Sequence, residues 1–78
     1  MKTNETVKSV YHIAEASAAN ARAIVQLLDL VVSITDKIPA NEKKKYVQIL
    51  EEAHKCRKST YSLLGSLETL AVTAENSS

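Results

Sequence analysis

Ile38-Pro39-Ala40-Asn41 interrupts an otherwise unbroken run of helix-friendly sequence and holds the only proline of the 78-residue chain. Proline pushes the residue before it towards extended backbone, so Ile38 cannot continue a helix. Asn41 can cap the free N–H groups of a new helix, and Glu42 suits its first turn. Working back, Lys37 places a cation at the negative end of the preceding helix. Working forward, the only glycine, Gly65, stands alone. The expected architecture is all-α: two helices, about 4–37 and 42–73, joined by a turn at 38–41 into one antiparallel hairpin. Thr3 or Asn4 is expected to cap the first helix. Residues 74–78 are expected to be a frayed tail.

Apolar residues along the first helix keep a heptad beat. Val7, Ala14, Ala21, Leu28 and Thr35 form one row, and Val10, Ser17, Ile24, Val31 and Ile38 the next. Tyr11, Ala18, Val25 and Val32 flank them on one side; Ile13, Leu27 and Ile34 flank them on the other. That stripe is wider than one partner helix covers. The second helix has a narrower stripe that includes Tyr46, Ile49, Ala53, Cys56, Thr60, Leu63, Leu67 and Leu70. The mismatch predicts self-association into a homo-oligomeric bundle of four or more helices. Chain length points the same way, since a domain this small buries little surface on its own.

With the turn at 39–40, equal helix ends would put Ala14, Ser17, Ala18 and Ala21 opposite Lys58, Ser62 and Gly65. Those small residues predict either a close approach of the helices or a hollow. The turn-proximal Leu27, Leu28, Val31, Ile49 and Leu50 are expected to be ordinary core.

The composition narrows the function classes. A single cysteine, Cys56, closes no intramolecular disulfide and fits a cytoplasmic protein. It is expected to be a small core residue. The formal charge of +1 lacks the basic excess of a dedicated DNA or RNA binder. Met1 to Glu5 has no apolar signal core, and the run Ile24 to Val32 falls short of a membrane span. No membrane association is expected. Glu51-x-x-His54 has the spacing of a bundle metal ligand pair, but both lie off the apolar stripe, so solvated side chains with a Glu51–Lys55 pair are expected. Neither a nucleophile elbow nor a glycine-rich phosphate loop occurs. The expectation is a non-enzymatic protein without cofactor or bound metal.

Basic side chains crowd the first half of helix two: Lys43, Lys44, Lys45, Lys55, Arg57 and Lys58. A solvated face is one reading, and an anion site is the other. Arg57, between Ala53 and Thr60 on the edge of the stripe, falls at the level of Arg22 if the helix ends match. Two guanidinium groups at one level invite an anion between them. Tyr11 could stack on a nucleobase or pack a subunit interface.

The Tyr11-His12 pair, the long helix, the isoleucine before the proline turn and Leu50-Glu51-Glu52-Ala53 on the return helix resemble the hairpin of small phage proteins that sponge cyclic-nucleotide immune signals. These are the anti-CBASS and anti-Thoeris sponges. The resemblance spans about Tyr11 to Ala53. The family continues with an aromatic and small residues to Ile-Ala-Arg, where this chain has His54-Lys55-Cys56-Arg57. The resemblance implies an oligomer whose inter-subunit pockets hold a nucleotide by tyrosine stacking and basic contacts, with Tyr11 carried across by motif. The expected function is sequestration of a small anionic ligand, a cyclic nucleotide or related signal, by Tyr11, Arg22, Arg57 and Thr60. A small helical regulator gripping a protein partner is the alternative, and a ligand-free bundle subunit the third reading.

Overall fold

A computed structural model describes residues 2–77, with side chains from Glu5 onward, so capping by Thr3 or Asn4 lies outside it. Two 35-residue helices, α1 (Lys2–Asp36) and α2 (Lys43–Ser77), pack on each other as an antiparallel hairpin. No strand occurs among the described residues. At the turn both helices end within one residue of the expected bounds. Lys37 lies just past α1: its N–H reaches the Ile34 carbonyl at 3.1 Å, and the Ile38 N–H reaches Thr35 at 3.2 Å. The Pro39 carbonyl then accepts from Glu42 at 2.9 Å and Lys43 at 3.1 Å. That carbonyl, rather than the Asn41 side chain, starts α2.

The end of α2 differs from expectation. Residues 74–77 are helical, because Ala71 and Ala74 are buried in the seam and keep the last turns docked. Back-bonds from Thr73 and Ser77 hydroxyls to carbonyls four residues earlier, both 2.8 Å, line the same stretch.

The seam follows two heptad ladders. On α1 it runs Ala14, Ala18, Ala21, Val25, Leu28, Val32, Thr35; on α2 it runs Leu50, Ala53, Arg57, Thr60, Leu64, Leu67, Ala71, Ala74. Alternating steps of three and four residues are what two helices need to keep one line of contact. The first of the expected rows is therefore in the seam. The second is not: Tyr11, Ala18, Val25 and Val32 take its place.

Equal helix ends do not describe the pairing. Arg22 meets Glu68, and Ala18 shares a depression with Ala71. The hairpin is 63 Å long, whereas a 35-residue helix spans about 52 Å. The helices are staggered by about two turns, and Lys43 to Ile49 project past the end of α1, all exposed. Stagger puts the small residues of α1 opposite the small residues of α2. Ala14 and Ala18 are each 1% exposed, so the helices approach closely and no hollow opens between them. Gly65 faces away from this seam; a Cβ built on it meets nothing within 4 Å. Gly65→Ala should therefore raise stability by about 0.5–1 kcal/mol through helix propensity alone, read as a higher urea midpoint. An unchanged or lower midpoint would mean that Gly65 is covered in solution.

One side of the hairpin is apolar and uncovered. Ile13, Leu27 and Ile34 are 67%, 62% and 65% exposed, and Val10, Ile24 and Val31 lie beside them. From α2, Ile49, Leu63 and Leu70 continue this face, and Cys56, in the same column, is exposed rather than core. Leu27, Val31 and Ile49, expected as ordinary core, belong here too. Stagger and the choice of seam turn them outward, leaving Leu28 and Leu50 half-buried at the turn end.

Candidate functional site

Ion pairs lace the opposite side of the seam. Arg57 Nη1 donates to Asp29 Oδ1 at 2.9 Å, and Arg22 Nη2 to Glu68 Oε2 at 3.4 Å. All four side chains are a third to a half exposed, so each pair contributes at most about 1 kcal/mol. Arg22 and Arg57 are not at one level. Stagger gives each its own carboxylate on the other helix, and the anion site imagined between them does not form within a hairpin.

Thr60 is 9% exposed, with its hydroxyl donating to the Cys56 carbonyl at 2.7 Å. It is a satisfied seam residue turned away from solvent. Thr35 repeats the arrangement with the Val31 carbonyl, also at 2.7 Å. Tyr11 lies at the open end, half-buried, beside Lys8, His12 and Glu75 in a shallow cleft. Its ring meets His12 edge-on, with centroids 5.4 Å apart. The Glu15 carboxylate one turn on accepts from its phenol and repels the phenolate, which raises the Tyr11 pKa above the ordinary tyrosine value. Tyr11 thus stays neutral under ordinary conditions. Tyr11, Arg22 and Arg57 line three separate clefts.

A second tyrosine makes a better site. His54, Arg57, Lys58 and Tyr61 line a half-open cleft of about 360 Å³ on the outer side of α2. Their spacing, i, i+3, i+4 and i+7, stacks them along one helical face. Arg57 is held in place by Asp29, while Lys58 and His54 sit on either side of it. The cleft offers hydrogen-bond donors for an anion and an aromatic face for a planar group. The sequence reading named Arg57 and missed Tyr61. The signal was the His-x-x-Arg-Lys-x-x-Tyr spacing.

Among the described residues, no three His, Cys, Asp or Glu side chains gather into a cation site. Near His54, Glu52 is engaged by Lys55 at 3.5 Å, in place of the expected Glu51–Lys55 pair. The 32-residue stretch Glu5–Asp36 is, by length and composition only, apolar enough to cross a membrane, a longer run than the Ile24–Val32 segment weighed from the sequence. Arg22 and Asp29 in its middle are ion-paired to α2, and its apolar side chains form the seam and the uncovered face.

No protein-family model, curated protein or solved structure matches this chain.

Proposed function

We propose that the hairpin is the protomer of a non-catalytic, homo-oligomeric helical bundle that binds and sequesters a small anionic, nucleotide-like ligand. The observation that carries the ligand reading is the His54, Arg57, Lys58 and Tyr61 cleft. It lies on the ion-paired side, so it stays open when the apolar side is covered. The phage sponge resemblance agrees in chemistry, a tyrosine face beside basic groups, though the tyrosine favoured by geometry is Tyr61 rather than Tyr11.

Thermal melts against a panel of mono-, di- and cyclic nucleotides test it. A ligand at 100 times its Kd should add about 2.7 kcal/mol of stability. Tyr61→Ala and Arg57→Ala should each weaken that ligand by about 1–3 kcal/mol, with oligomer mass unchanged. Tyr11→Ala should leave it unaffected. No stabilisation by any nucleotide would overturn the ligand reading.

The uncovered apolar face favours a second reading, a regulator that lays this face on a helix of another protein. Sedimentation separates the two: self-assembly gives multiples of 8.5 kDa, whereas a partner-seeking regulator stays at that mass alone.

A further inference from the structure

We propose that the copy covering the apolar face lies antiparallel on it, related by a two-fold axis that crosses α1 at the level of Arg22. This rests on the self-assembly reading above. The face has the size of an interface: nine aliphatic side chains, each between 37% and 67% exposed, amount to an area on the order of the ~800 Å² that one partner contributes to a stable complex. Isolated monomers rarely expose so much in one piece.

The orientation follows from where the small residues fall. The α1 part of the face has two heptad columns, Val10, Ser17, Ile24, Val31 and Ile13, Asn20, Leu27, Ile34. In an antiparallel pair, each layer joins one column to the other column of the facing helix. One register uses every layer. Ser17 then meets the partner's Leu27, and Asn20 meets the partner's Ile24. Val10 meets the partner's Ile34, and Ile13 meets the partner's Val31. Small faces large in the middle, and large faces large at the ends, which is how close packing is reached. A groove of about 330 Å³ lies at that place, lined by Ser17, Asn20, Ala21, Ile24, Leu63 and Leu67. The partner's Leu27 is the side chain that enters it.

Helix α2 is laid on the partner's α2 by the same axis. Its apolar column, Ile49, Cys56, Leu63 and Leu70, then faces the same column of the partner. The competing two-fold, along the bundle, would set the two columns of α1 on the single column of α2. It would bring Glu52, Ser59, Ser66 and Thr73, the next column of α2, to the edge of an apolar contact.

Disulfide trapping in a Cys56→Ser background tests the orientation. Sedimentation first establishes that each variant is a dimer or larger. Mild oxidation should then cross-link Ser17→Cys/Leu27→Cys with its partner, to more than half of the protein. Ser17→Cys alone, Leu27→Cys alone and Ser33→Cys, on the far side of α1, should stay largely uncross-linked. Val10→Cys/Ile34→Cys repeats the test at the ends of the face should a central variant dissociate. An oligomer in which none of these designs cross-links overturns the antiparallel arrangement and leaves self-assembly standing. A wild-type chain that sediments at 8.5 kDa overturns both.

Discussion

Leu27→Glu should reduce the protein to a single 8.5 kDa chain at concentrations where the wild type is fully assembled. Leu27 is 62% exposed in one hairpin and lies in the middle of the apolar face. A lone hairpin tolerates a carboxylate there, because water solvates it. An assembled bundle buries it beside aliphatic side chains with no cation to meet it. An unpaired charge in such a place costs roughly 3–5 kcal/mol, and each 1.4 kcal/mol is about tenfold in affinity. Association should thus weaken more than a hundredfold, read by sedimentation across a dilution series. The seam is untouched, so helicity should persist at low temperature. An unchanged mass would remove the apolar face as the assembly surface.

Two residues away the same chemistry should have a different outcome. Val25→Glu should unfold the hairpin itself. Val25 is 6% exposed, the largest aliphatic side chain buried in the seam. A carboxylate there has to be desolvated or force the helices apart. Several kcal/mol is a large part of the roughly 5–15 kcal/mol that holds a native domain together. Circular dichroism should show most of the helical signal lost at room temperature, before any question of assembly arises. A helical monomer instead would mean that Val25, like Leu27, faces a second chain. The pair of variants separates the two surfaces of α1 that the sequence left merged.

That merging explains what the sequence could and could not reveal. Pro39 and the heptad beat of Ala14, Ala21, Leu28 and Thr35 were legible, because breaks and periodicity are local. The second seam row was not. Val10, Ile24 and Val31 are as apolar as Val25 and Val32, so α1 has two sticky sides and periodicity cannot choose between them. Pairing level was illegible for another reason. A six-residue connection, 37–42, can join level helices or staggered ones, and the choice depends on Ala71 and Ala74 finding Ala14 and Ala18. The same pairing keeps residues 74–77 helical. Among the site residues, Arg57 was legible from its place beside the stripe. Tyr61 was not singled out, although it follows Lys58 by three residues and Arg57 by four. Arg22 and Thr60 were named from the level pairing and the stripe; in the hairpin Arg22 is paired to Glu68 and Thr60 is buried in the seam.

The overhang of Lys43 to Ile49 has a consequence for how the chain folds. Helix ends are joined by six residues (37–42), but those ends do not touch as a tight hairpin would. Thr35 and Ala53 are the seam residues nearest the turn that are fully buried on each side, with seventeen residues (36–52) between them. Closing that longer loop adds roughly 0.6–1 kcal/mol over the shorter one, since each doubling of loop length costs about 0.6 kcal/mol. The first buried contact thus lies about one turn from the proline on α1 and about four turns from it on α2.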